Sequence, residues 1–308
     1  MIEVRELTKN YGELVAVRDL TFEVEAGRIW GLLGPNAAGK TTTMRILTGY
    51  LPATSGRATV AGFDVFDRPD DVKRSIGYLP EVVPLYLDMT VASYLAFVAE
   101  IKQVPKARRR AAVARVVEAA GLKDVSRRLI KNISRGFKQR VGIAQAMIHD
   151  PQVLVLDEPT IGLDPAQIIE IRSLIRGLRG EHTILLSTHI LAEVTQICEG
   201  AVIINEGRLM ANGTLDDLSR SYSHKDGVHI RIRRDDEPAE ALLRSIPGMD
   251  SVSRLEDGLL LEWSKDKDLR DDVLRLIMER SFGLLEMRSL GMNIEDLYLK
   301  VISGGTPQ

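Results

Sequence analysis

Residues 28–41 read RIWGLLGPNAAGKT, and this stretch decides the fold. A strand-length apolar run, IWGLL, leads into GPNAAGKT (34–41), which matches the G-x-x-x-x-G-K-[ST] phosphate loop. The following segment, 44–49, continues as a helix. A triphosphate presents several negative oxygens, and successive backbone N–H groups at a helix N-terminus surround them well. In this reading Gly34, Pro35, Asn36, Ala37 and Ala38 form the cradle, and Gly39 lets the backbone come close. Lys40 reaches the β- and γ-phosphates, the Thr41 hydroxyl ligates Mg²⁺, and Thr42 offers a hydroxyl to the α-phosphate.

Moving outward, VLVLDEPT (153–160) supplies the matching half. An apolar strand ending in two acids puts carboxylates at the carboxyl edge of a sheet, where ligands of such folds bind. Asp157 is placed to hold Mg²⁺ and Glu158 to polarise an attacking water. Either acid alone could simply cap a helix; beside the phosphate loop, the pair reads as catalytic.

The rest of the chain agrees with an α/β sheet. Residues 2–7, 15–17, 20–24, 57–60, 76–78, 183–187 and 201–205 predict strands, and segments 164–178 and 190–198 predict helices. This alternation argues for a mainly parallel sheet covered by helices. Residues of about 90–150 interrupt it with helices, one capped by Thr90 and one opening at Pro105 and stopping at Gly121. After about residue 220 the pattern changes to a small α+β appendage: helices at 238–246, 267–280 and 294–301, with strands at 251–255, 258–263 and 283–288. The expected division is 1–220 and 221–308.

Composition narrows the class. Forty-one Lys and Arg against 43 Asp and Glu leave a net charge of −2, so no overall field draws the chain to nucleic acid, and none is expected as a partner. A lone cysteine, Cys198, makes no intrachain disulfide and reads as a packed helical thiol. The first residues, MIEVRELTKNYGE, lack the apolar core of a secretory signal, and no apolar run approaches membrane-span length. Any membrane role must therefore come through a partner.

Together these motifs resemble the ABC ATPases over roughly residues 1–215. That resemblance implies an ATP-hydrolysing subunit with an antiparallel β subdomain and a helical subdomain added to the parallel sheet. It also assigns further residues. Tyr11, in KNYGE, matches the aromatic that stacks on adenine. ISRGFKQR (133–140) resembles the LSGGQ signature, with Ser134 and Gly136 preceding a helix aimed at a γ-phosphate held by a second subunit. IGLD (161–164), ending in Asp164, matches the loop that links the two sites, and His189, in LLSTHI, the histidine at the γ-phosphate and water. Lys40, Glu158 and His189 are the catalytic set so implied, with ATP and Mg²⁺ as cofactors.

Three positions depart from the family pattern. Ala37 replaces a frequent glycine, Arg135 and Phe137 stand for Gly and Gln in the signature, and Glu81 replaces the usual glutamine. Arg135 is expected to add a cation near the γ-phosphate. Glu81 keeps an acceptor that reaches Mg²⁺ but repels phosphate oxygens.

One phosphate loop and one signature per chain imply that two copies complete a site. The stretch IGYLPEVVPLYLDMTVASYL is similar to a branch paired with short separate permeases, closest to its gliding-motility type. The implied protein is cytoplasmic, held peripherally on the cytoplasmic face of the cell membrane, and drives export. A permease helix is expected near residues 82–97, where apolar VVPLY reads equally as docking surface or core. The basic run KARRR (106–110) reads as a solvated helix face, with anionic headgroups as the alternative. A soluble ABC ATPase of repair or translation is the rival, but no coiled-coil insertion or second cassette is visible.

Overall fold

The first strands, β1 (Ile2–Tyr11) and β2 (Leu14–Val24), pair antiparallel, and their alternation buries Ile2, Val4, Leu7, Leu20, Phe22 and Val24 on one face. The two short segments expected at 15–17 and 20–24 are one strand. Register shifts absorb the break, with Glu6 and Asp19 at positive φ and the Thr8 hydroxyl donating to Asp19 at 3.0 Å. This computed structural model describes residues 1–222, 225–233, 237–255, 257–264, 267–289 and Tyr298.

β3 (Ile29–Leu33) is buried throughout and runs into α1 (Lys40–Leu47). β4 (Ser55–Val60) and β5 (Phe63–Asp64) join the first pair in a sheet of order β2-β1-β4-β5. A short helix, α2 (Pro69–Ser75), was not legible, because PDDVKRS buries only Val72. β6 (Ile76–Leu79) follows. The helical stretch comprises α3 (Val91–Ile101), α4 (Lys106–Ala119) and α5 (Arg135–Met147), with short 3₁₀ turns between the last two. Thr90 caps α3 by accepting from Ser93 N, as expected; Pro105 lies just before α4.

β7 (Val153–Asp157), α6 (Pro165–Gly177), β8 (Thr183–Thr188), α7 (Leu191–Ile197), β9 (Gly200–Asn205) and β10 (Arg208–Thr214) complete this part. The central sheet has the order β10-β9-β3-β8-β7-β6, parallel except at β10. Its inner strands are covered on both faces, which is why they read as unbroken apolar runs. Cys198 is buried but stands at the end of α7 rather than within it, and burial raises its thiol pKa.

The chain separates into two compact units, Met1–Leu215 and Asp216–Gln308, with α8 (Leu215–Tyr222) beginning at the division. The second unit runs β11 (Lys225–Ile232), α9 (Glu237–Arg244), β12 (Met249–Leu255), β13 (Gly258–Ser264), α10 (Arg270–Glu279) and β14 (Leu284–Ser289). Its sheet, β12-β13-β11-β14, is antiparallel, a β-α-β-β-α-β arrangement around Val228, Ile230, Leu261, Trp263, Val273 and Ile277. Of the helix expected at 294–301, all but Tyr298 lies outside the described residues. Among those residues, no helix is long and apolar enough to cross a membrane.

Candidate nucleotide site

Parallel neighbours β3, β8, β7 and β6 end on one edge of the central sheet. Each delivers one expected group there: Lys40 after β3, His189 after β8, Glu158 after β7 and Glu81 after β6. The parallel register therefore assembles residues that are scattered in sequence.

The loop 34–39 is held tightly. A Cβ on Gly34 would lie 2.3 Å from the Ile204 carbonyl oxygen, and Gly39, at φ 101°, would meet the Ala16 carbonyl at 2.7 Å. Both glycines are required by backbone packing as well as by any approaching phosphate. Ala37 takes φ 65°, a left-handed conformation that strains a residue with a Cβ. Lys40 Nζ donates to Gly34 O at 2.7 Å and Pro35 O at 3.1 Å, and lies 3.9 Å from Glu158 Oε1. Burial pushes its pKa down, while Glu158, then Asp157 and Glu81, pull it back up. The ammonium thus sits at the centre of the acidic edge. Thr41 and Thr42 are half-buried in the first turn of α1.

The acids are equally constrained. The Ser187 hydroxyl donates to Asp157 Oδ1 at 2.6 Å and accepts from Glu158 N at 2.9 Å. Glu158 itself has φ 47°, a strained backbone of the kind that concentrates at functional sites. His189 Nδ1 contacts Glu158 Oε2 at 2.9 Å. This contact fixes the orientation of the carboxylate that would face water.

Behind it stands a group the sequence reading missed. Glu193, on α7 and 1% exposed, accepts from the Thr160 hydroxyl and, at 2.7 Å, from Thr188; Arg172 is 3.7 Å away. Thr160 follows Glu158 by two residues and Thr188 precedes His189. One buried carboxylate therefore ties together both segments that carry the reacting side chains. Ser187 and Thr188 were visible in STH, but nothing in the sequence paired 160 with 193.

The remaining expected residues have partners of their own. Ser134 caps α5, accepting from Phe137 N at 3.3 Å, and Gly136 is inside the first turn rather than before it, with the Gln167 side chain where a Cβ would go. Arg135 has a partner within its own chain. Its guanidinium donates to Ile161 O at 3.2 Å and covers Gly162, joining the signature to the loop 161–164 of its own chain. Gln139 reinforces that join by donating to Pro159 O at 2.8 Å. Asp164 caps α6 by accepting from Gln167 N at 2.9 Å. Tyr11 is 45% exposed at the end of β1, with Lys9 Nζ 5.4 Å from its ring centre.

A phosphate loop at a strand–helix junction, with a buried Asp-Glu pair at the end of a parallel strand one place further along the sheet, defines a P-loop nucleoside triphosphatase. Comparison with known proteins makes the class specific. Residues 17–161 match the ABC transporter family model. The bacitracin transport ATP-binding protein BcrA of Bacillus licheniformis is 34% identical, over 99% of this chain and 98% of that protein. The linearmycin resistance ATP-binding protein LnrL of Bacillus subtilis is 28% identical over 98% of each. A solved ATP-binding subunit of an ABC transporter superposes with a TM-score of 0.65 at 31% identity, over 72% of this chain and 93% of that one. The chain belongs to the ABC transporter family, as an ATP-binding and ATP-hydrolysing subunit.

Proposed function

We propose that two copies of this subunit close around two ATP molecules and drive export through a separate membrane permease. The observation that carries the reading is the contact between Glu158 and His189 at 2.9 Å, with Lys40 3.9 Å from the same carboxylate. Lys40 exchanges its two loop carbonyls for β- and γ-phosphate oxygens, and residues 34–39 with Thr42 hold the remaining phosphates. Tyr11 stacks on adenine. Ser134 and Gly136 of the second copy approach the γ-phosphate at a helix N-terminus, whose positive end suits that charge. Asp164 places the loop 161–164 across the dimer.

Mg²⁺ fits the donors present, because it binds through few protein oxygens alongside substrate phosphates. The buried Asp157 carboxylate has Oδ1 engaged by Ser187, which leaves Oδ2 for such a cation, with Thr41 and Glu81 as further oxygen donors. When bound, the ion would neutralise charge on the transferring phosphoryl group. Glu158 takes the proton of the attacking water as the water oxygen bonds to the γ-phosphorus and the bond to the leaving ADP oxygen breaks. His189 holds that carboxylate in place. Losing the nucleotide bridge lets the pair reopen, and that population shift moves the permease.

The segment after Glu81 supports docking. Val82 is 81% exposed, and Leu87 and Tyr86 also face solvent, Tyr86 beside Tyr94 and Phe97, whereas Val83 packs toward Gly142. The apolar run divides its residues between core and surface. A subunit that works through a permease would lie peripherally on the cytoplasmic face of the membrane. Relatives named for bacitracin transport and linearmycin resistance favour export over the repair or translation reading. Residues 1–220 form the cassette in this proposal and 221–308 an accessory domain.

Glu158→Gln tests the reading. Turnover should fall about a thousandfold, the scale of a lost general base, while ATP traps a dimer detectable by size-exclusion chromatography. Unchanged hydrolysis removes Glu158 from the base role.

A further inference from the structure

Away from the nucleotide site, α2, α3, α4 and the end of α5 surround a cavity of about 510 Å³. Arg74, Lys102, Arg108, Arg115 and His149 line it, and the acid among its lining residues, Asp150, already pairs with Arg115 at 3.4 Å. Smaller hollows continue past Lys102 to Lys73. The imbalance extends through the helical stretch: residues 90–150 hold thirteen Lys and Arg against four Asp and Glu, in a chain of net charge −2.

Two groups in the cavity are poorly compensated. Among the described residues, Lys102 Nζ finds only the Lys73 and Ile76 carbonyls, each at 3.4 Å, and burial lowers its pKa. His149 donates through Nε2 to Ile76 O at 3.1 Å, while its Nδ1 is buried without a hydrogen-bond partner. Burial first, and then the Lys102 charge, push its pKa down to about 4. Arg115 serves a helix end, donating to Met147 O at 3.0 Å. Arg108 is exposed without an ion pair among the described residues, and Arg74 meets only Asp71, at 3.6 Å.

We propose that this cavity binds a phosphate-bearing anion, at a site separate from the nucleotide site. Cations arriving from three elements around a concave hollow, Arg74 from α2, Lys102 from the end of α3 and Arg108 and Arg115 from α4, suit a tetrahedral oxyanion better than a planar carboxylate, because its oxygens point in several directions. A compact hollow does not suit extended nucleic acid, which needs a stripe of phosphate contacts. The ligand is a lipid headgroup or a free phosphate compound, and two probes separate them.

The full chain is tested against its Arg74→Gln/Arg108→Gln variant. Neither side chain bonds a backbone carbonyl among the described residues, so folding and ATP hydrolysis should be retained. Inorganic pyrophosphate should raise the midpoint of the His149 ring titration, read by NMR and assigned with His149→Gln. This readout is local, so pyrophosphate in the nucleotide site does not confuse it. If the source is lipid, phosphatidylglycerol vesicles should bind the wild type about 30-fold more tightly than the variant, and phosphatidylcholine vesicles neither. A His149 shift without vesicle discrimination supports the site and assigns it to a free phosphate. If His149 is unmoved and the vesicles do not discriminate, the proposal is wrong and the cations are helix-end caps.

Discussion

The sheet edge and the signature region form a contrast within one cassette. At the edge, Lys40, Asp157, Glu158, Ser187 and His189 already contact one another, and most are buried. In the signature region, Ser134 and Arg135 are exposed, and their bonds run to their own helix and to the neighbouring loop. The first half is preorganised, as electrostatic catalysis requires, because fixed charges need not rearrange during reaction. In the proposed reaction, closure of two copies would bring this finished half to the signature as an unfinished one.

The largest effect apart from loss of the base should come from the buried carboxylate behind the edge. Glu193→Ala strips Thr160 and Thr188 of their acceptor and removes the carboxylate that faces Arg172. Breaking such a buried charged group costs about 3 kcal/mol, readable as a lowered urea midpoint. Turnover should fall with little change in KM, since the Glu158–His189 alignment is what loosens. A midpoint within error of the wild type would show that the edge is not held from behind.

Next is Ser134→Ala, which should cost about 1 kcal/mol as a lost helix cap. Its informative effect is different. In the Glu158→Gln background it should abolish the ATP-trapped dimer while leaving nucleotide binding by the monomer intact. If the dimer survives, the signature is not the unfinished half.

The contrast also explains what the sequence made legible. The edge could be read because its groups follow apolar strands at short, fixed offsets, as in GPNAAGKT and VLVLDEPT, and a parallel sheet turns such offsets into proximity. The tie through Glu193 could not, because Thr160 and Glu193 meet only after α6 and β8 intervene. The bond Arg135 makes within its own chain was hidden for a related reason: the signature pointed to a distant phosphate and said nothing of the nearby Ile161 carbonyl. In the C-terminal unit, period-two strands around apolar helices were readable, while no chemical motif was present to assign it a role.

Ala37→Gly probes strain at the finished half. Removing a Cβ from a residue at φ 65° should stabilise the protein by about 1 kcal/mol and tighten ATP binding correspondingly. Equal midpoints in thermal melts would mean that the loop already relaxes the strain.

The smallest effect on stability, and the sharpest test of the boundary between the halves, belongs to Arg135. Its bond to Ile161 O is 3.2 Å long and exposed, so Arg135→Ala should change stability by only about 0.5 kcal/mol. Yet the guanidinium rests on Gly162, in the loop that crosses to the second site. If it positions that loop, the variant should lower the turnover of the dimer while leaving monomer ATP affinity unchanged, and Arg135→Lys should recover only part of the loss, because a point charge does not reproduce the planar fork. If instead Arg135 serves the γ-phosphate directly, ATP-driven dimerisation itself should weaken in both variants. Those two results place the residue on opposite sides of the contrast, one as a strut within its own chain and the other as a contact made only on closure.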